Sequence, residues 1–180
     1  MTLKLDQDLR SVQEMRQAVS RAKKAQQKFM SFSQEKIDAI VEAIAKAAYR
    51  QSEKLAKMAV EETGMGVVEH KVIKNHVGSM DVYHSIKNEK TIGVIHEDSV
   101  NKVMEIAYPY GVIAAIIPTT NPTSTAMYKT LIALKTGNAI VVSPHPRAKR
   151  CTVETLKICH EAAIKAGAPE GLIGWISEPS

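Results

Sequence analysis

Asn121 stands just past an apolar run, Gly111-Val-Ile-Ala-Ala-Ile-Ile117, and just ahead of a helix-like stretch that begins at Thr123. A carboxamide N–H in that place can point at a substrate oxygen. In a desolvated site one such donor stabilises developing oxyanion charge by roughly 3–4 kcal/mol. Asn is equally suited to capping the helix that follows, so position alone leaves both readings open. Pro118, Thr119 and Thr120 share the same rim, with Thr123, Ser124 and Thr125 close behind. Hydroxyls and free backbone N–H groups at a helix start can seat an anion or a cofactor. Ordinary turn chemistry enriches Ser and Thr there too. A second apolar run, Ala139 to Val142, ends in Ser143-Pro144-His145-Pro146-Arg147. Prolines on both sides restrict the backbone at His145, which suits a side chain held against a ligand. Ser143, Pro144 and His145 are therefore candidate ligand contacts. Arg147, Lys149 and Arg150 add charge that fits either a phosphate or open solvent.

Other reactive side chains form no recognisable set. Cys151 and Cys159 fall on one predicted helix without an evident base. Cations near Cys151 would lower its pKa if it were exposed, whereas helix interiors often bury free cysteine. His70, His76, His84 and His96 are scattered, and no Cys or carboxylate set completes a metal site; none is expected. His160-Glu161 lacks the second histidine of a zinc helix. Gly64-Met-Gly66 resembles half of a dinucleotide fingerprint, but it follows a helix and no third glycine is correctly spaced.

The positioning elements can be read from periodicity. A helix is expected from about Leu9 to Phe29, with Val12, Met15, Val19 and Ala22 on its apolar face. Ser31 and Gln34 read as a capping box for the next helix. There Ile37, Ile40, Val41, Ile44 and Ala48 mark one face, resumed by Leu55, Met58 and Ala59 until Gly64 ends it. A third helix is expected from Val67 to about Ile86, with Val68, Val72, Val77, Met80 and Tyr83 in phase. The period then changes. Residues 91–96 and 102–107 read as an antiparallel strand pair that could protrude and pair with another subunit. Strand Gly111–Ile117, helix Thr123–Leu134, strand Ala139–Val142, helix Ala148–Lys165 and strand Leu172–Ile176 complete a βαβαβ unit. That pattern predicts an α/β parallel sheet with helices on both faces, presenting ligands at the carboxyl ends of its strands.

Composition sets outer bounds. The 180 residues are 44% hydrophobic and 24% charged, an ordinary globular mixture with a formal charge of +5. No apolar run approaches the roughly 20 residues of a membrane span. The amino terminus shows no signal peptide, and two cysteines make no disulfide framework, so a cytoplasmic location is expected. Arg21, Lys23, Lys24 and Lys28 form a basic cluster. With aromatics at 4% and no nucleic-acid motif, it reads as a solvated helix face.

Several long tracts resemble the aldehyde dehydrogenase superfamily, and within it the CoA-acylating branch. They are Met58-Ala-Val-Glu-Glu-Thr-Gly-Met-Gly66, Lys71-Val-Ile-Lys-Asn-His76, Ile117-Pro-Thr-Thr-Asn-Pro-Thr-Ser-Thr125, Ser143-Pro-His-Pro-Arg-Ala-Lys149 and Ala166 to Ile176. That branch includes the amino-terminal half of bifunctional aldehyde-alcohol dehydrogenases. The resemblance implies a partial Rossmann-type NAD-binding domain: a helical front part over 1–90, a β-hairpin bridging arm over 91–107 and a core over 108–180. It implies NAD-linked, reversible oxidation of acetaldehyde or another short aldehyde to acyl-CoA, with CoA as cosubstrate. Asn121 matches the family's oxyanion-stabilising asparagine, and Pro118, Thr119 and Thr120 would line the nicotinamide side. Ser143 and His145 stand where non-acylating members carry a ribose-binding lysine pattern. The arm would serve homo-oligomerisation. The nucleophilic cysteine of the family lies downstream of the matched segment, and neither Cys151 nor Cys159 falls at its position. The chain alone is thus expected to be inactive. The competing reading is a non-catalytic nucleotide-binding or assembly module.

Overall fold

A computed structural model describes residues 6–178. Helix α1 spans Gln7–Phe29 and lies across the strands of the parallel sheet. Its buried face is Ala18, Ala22, Ala25 and Phe29, whereas Val12, Met15 and Val19 are exposed. The expected stripe therefore holds only at Ala22. The reason is close approach: Gly174 in the sheet lies so near that a Cβ there would sit 3.8 Å from Ala18 Cβ. At that crossing the helix presents Ala18, while the larger Phe29 is buried at the helix end.

Helix α2 (Gln34–Arg50) buries Ile37, Ile40, Val41, Ile44, Ala45 and Ala48, as its spacing predicts. Its cap is not Ser31. Ser33 accepts from Lys36 N at 3.4 Å, while Ser31 Oγ donates to Lys28 O. Gln34 does not reach back as a capping box requires. Its Oε1 accepts from the backbone N–H of Thr91 at 2.9 Å, tying α2 to the base of the hairpin. The same knot contains Lys135, 2% exposed, whose ammonium lies 2.6 Å from Asp38 Oδ1. Thr91 Oγ1 donates to the Lys135 carbonyl.

Helix α3 (Ser52–Thr63) ends at Gly64, whose φ of 66° is the left-handed conformation that terminates helices. The expected third helix is broken. It runs as α4 (Val68–His76), a π-helical turn (Val77–Asp81) and α5 (Val82–Ile86). The buried residues of this segment are Lys71, Asn75, Gly78 and Ser79, not the valines.

Strands β1 (Gly93–Asp98) and β2 (Val103–Ala107) form the expected antiparallel pair, with a bulge between Val94 and His96. Most of their side chains are exposed. β3 (Val112–Ile117), α6 (Pro122–Lys135), β4 (Ala139–Pro144), α7 (Lys149–Lys165) and β5 (Ile173–Trp175) build a parallel sheet in the order β3-β4-β5. Crossover helices α6 and α7 pack together over one face, with α2 against both; α1 covers the other. This is a Rossmann-like α/β fold with amino-terminal helices and a small hairpin. Along β4 Ala139, Ile140, Val141 and Val142 are all buried, as the middle strand of a doubly covered sheet requires. No helix among the described residues is long and apolar enough to cross a membrane.

Candidate functional site

Parallel register brings the two predicted rims together. Ile116 pairs with Ser143 and Ile117 with Pro144, so Pro118–Asn121 and Ser143–His145 leave the sheet side by side at its carboxyl end. Asn121 is the N-cap residue of α6, with φ −137° and ψ 58°, and Pro122 fills the first helical position. Its side chain makes no capping bond. Instead Lys74 Nζ donates to Asn121 Oδ1 at 2.9 Å, and Nδ2 keeps only a long 3.5 Å contact to Thr120 Oγ1. Of the two readings open at Asn121, the cap by its side chain is therefore not the one adopted.

The lysine comes from α4, where the polar stripe Lys71-Asn75-Gly78 faces the start of α6. Lys71, 5% exposed, donates to Thr120 O at 3.0 Å. Burial lowers its pKa, and the neighbouring charge of Lys74 lowers it further. Asn75 is fully buried; it accepts from Thr123 Oγ1 at 2.7 Å and donates to Ser52 O at 2.9 Å. Gly78 lets the π-turn touch α6 backbone, for a Cβ there would lie 2.7 Å from Ser124 O. These contacts were hidden in the sequence because the stripe is polar. Its recurrence at helical spacing, with Gly and Ser following, is the signal that could have located it. Between α4 and the rim lies a cavity of about 470 Å³, lined by Met65, Gly66, Val67, His70, Lys71, Ile73, Lys74, Thr120 and Asn121.

On the second rim Pro144 is buried, while Ser143 and His145 are half-buried. His145 Nδ1 accepts from Arg147 N at 3.1 Å, capping a short 3-10 turn over Pro146–Ala148. An imidazole that accepts at Nδ1 carries its proton at Nε2 when neutral, leaving a donor there. A serine hydroxyl and an imidazole N–H beside a strand end suit the hydroxyls of a ribose, so the residues present fit a nucleotide. The α7 amino terminus does not offer the phosphate seat that Arg147, Lys149 and Arg150 suggested. Glu62 from α3 already occupies it, accepting from Arg150 N and Cys151 N at 2.7 Å each.

Both cysteines are free and fully buried. Burial pushes the Cys159 thiol up to about 12. Burial and the Glu62 carboxylate push Cys151 up to about 12 as well. Neither is a thiolate at neutral pH, so neither is a nucleophile. Among the described residues no group of three or more His, Cys, Asp or Glu side chains could hold a metal.

Comparison with known proteins shows the family. A profile described as the aldehyde dehydrogenase family matches residues 6–180. The chain is 55% identical over 170 residues to the bifunctional aldehyde-alcohol dehydrogenase of Escherichia coli (strain K12), covering 94% of this chain and 19% of that protein. An acetylating aldehyde dehydrogenase from Geobacillus thermoglucosidasius superposes with a TM-score of 0.96 at 53% identity, over 97% of this chain and 39% of its own. The propionaldehyde dehydrogenase of Rhodopseudomonas palustris, solved with bound CoA and an acylated cysteine, gives a TM-score of 0.77 at 34% identity over 92% of this chain and 38% of its own. The chain thus spans about a fifth to two fifths of the length of these relatives.

Proposed function

The chain belongs to the aldehyde dehydrogenase family, and from that premise we propose that it is the NAD-binding portion of an enzyme that reversibly oxidises acetaldehyde or another short aldehyde to its acyl-CoA. The observation that carries this reading is the orientation of Asn121, whose oxygen is taken by Lys74 and whose Nδ2 makes only a long contact to Thr120 Oγ1. In the reaction a thiolate from outside these residues attacks the aldehyde carbonyl, and negative charge collects on its oxygen. Asn121 Nδ2 donates to that oxygen as the charge grows. The adjacent amino terminus of α6, a 14-residue helix, adds its positive end. NAD, when bound, supplies the hydride acceptor. Pro118, Thr119 and Thr120 wall the nicotinamide side, and Ser143, Pro144 and His145 hold the nucleotide's ribose end. CoA serves as cosubstrate, a role favoured by the likeness to a relative solved with CoA bound.

In this reading the helical front lies within residues 1–90, the partial core within 108–180, and 91–107 is an arm. Exposed Val94, Ile95, Val103, Met104 and Ile106 on the arm favour pairing with a second copy in a homo-oligomer. Free thiols suit a reducing, cytoplasmic setting.

The test is Asn121→Ala in the full-length enzyme, followed by aldehyde- and CoA-dependent NADH formation. Loss of one oxyanion donor predicts a fall in kcat of about 10²–10³-fold, with KM for the aldehyde little changed. Turnover near that of the unaltered enzyme would remove Asn121 from the role.

A further inference from the structure

We propose that Lys74 is a positioning residue for Asn121, holding the carboxamide so that its N–H groups face the reacting oxygen; this rests on the oxyanion reading above. A lysine ammonium has donors and no acceptor. The atom 2.9 Å from Lys74 Nζ must therefore be the oxygen of Asn121, and the amide nitrogen must lie on the other side. The alternative is a side-chain cap on α6. An asparagine at an N-cap ordinarily turns its oxygen onto the N–H groups of the second or third helical residue, here Thr123 and Ser124. That rotamer would spend the oxygen on the helix and redirect the amide. Lys74 competes with it by offering a charged donor, and charge-assisted hydrogen bonds are the stronger ones. The cation also polarises the amide, adding positive character to its N–H groups.

The backbone beneath Asn121 is held by other residues. Lys71, one turn earlier on the same face of α4, donates to Thr120 O. Thr123 is bonded to buried Asn75, and Pro122 occupies the first helical position. Lys74 itself is exposed and contributes nothing to the core. Its removal should free the side chain of Asn121 while leaving the turn in place. That separation makes the role testable apart from folding.

The experiment uses the full-length enzyme with Lys74→Met, Lys74→Arg, Asn121→Ala and the Lys74→Met/Asn121→Ala pair. Each is read by kcat, KM for the aldehyde and thermal midpoint. Lys74→Met should lower kcat about 10-fold, a fraction of the roughly 10²–10³-fold carried by a full oxyanion donor. KM should stay within about twofold, with an unchanged midpoint, because substrate binding does not depend on the amide's orientation. Lys74→Arg should restore most of the loss, since a guanidinium is also a charged donor without an acceptor. In the Asn121→Ala background Lys74→Met should cost nothing further, because the two act as a unit. Unaltered kcat in Lys74→Met, or a loss that adds in full to that of Asn121→Ala, overturns the proposal. So does a fall in kcat accompanied by a lower midpoint and no rescue by arginine, which marks a structural role. If Asn121→Ala itself turns over normally, the oxyanion reading fails first, whatever Lys74 does.

Discussion

Helices α2 and α4 both press against α6, yet they are built on opposite principles. α2 offers Ile37, Ile40, Val41 and Ile44, an apolar face whose burial is non-directional and tolerant of small shifts. α4 and its π-turn offer Lys71, Asn75 and Gly78, all buried: Lys71 is bonded to Thr120 O, Asn75 to Thr123 Oγ1, and Gly78 lies against the backbone of Ser124. Hydrogen bonds have narrow geometry, so this second interface fixes the start of α6 to a particular position. Asn121 and Thr120 sit at that start. Stability is drawn from the first interface and alignment from the second.

The contrast can be broken first at its apolar side. Ile44→Ala should lower unfolding free energy by about 2–5 kcal/mol, read by denaturation of the full-length enzyme, with kcat of the surviving folded fraction unaltered. A matching loss of kcat per folded molecule would mean that the apolar face also sets alignment. Asn75→Ala should behave differently. It strips partners from Thr123 Oγ1 and Ser52 O, costing about 2–3 kcal/mol, and it should also depress kcat because Thr123 lies two residues from Asn121. Full activity in that variant would show that the polar interface is only structural.

Gly78→Ala probes the close approach directly. A Cβ 2.7 Å from Ser124 O cannot be accommodated without moving α6, so about 1–3 kcal/mol of strain is expected together with a several-fold fall in kcat. Retention of both wild-type stability and kcat would show the π-turn and α6 to be loosely coupled. The smallest effect belongs to the buried thiols of α7. Because folding raises their pKa to about 12, each stabilises the fold fully below its unfolded pKa of about 8.5, and that contribution is lost as pH rises toward 12. Cys159→Ala should flatten this alkaline decline in thermal midpoint. Iodoacetamide at neutral pH should leave both cysteines unmodified by mass spectrometry; fast labelling of the folded protein would contradict their burial.

How much of this was legible depends on the kind of residue doing the packing. The α2 face was readable because its large aliphatics recur at helical spacing and face other helices, where such side chains fit. On α1 the same rule chose Val12, Met15 and Val19, and the structure buries alanines instead. Against a sheet at close range size decides before hydrophobicity. Residues 67–86 misled for a related reason: the buried stripe was polar, and the period of their valines concealed a π-turn. Ser31 was a plausible cap from its type alone, but the chain turns two residues later, at Ser33.

The sequence by itself determined the order of elements, the parallel βαβαβ unit, and the two polar rims around Asn121 and Ser143–His145. Each depends on local periodicity and on residue types within one turn or strand. Only tertiary structure decided that Lys74, 47 residues before Asn121, takes its oxygen. It likewise decided that Glu62 closes the end of α7 and that both thiols are sealed in the core. Those pairings join residues far apart in the chain. Their partners are chosen by which helices the sheet brings together, and no local pattern encodes that choice.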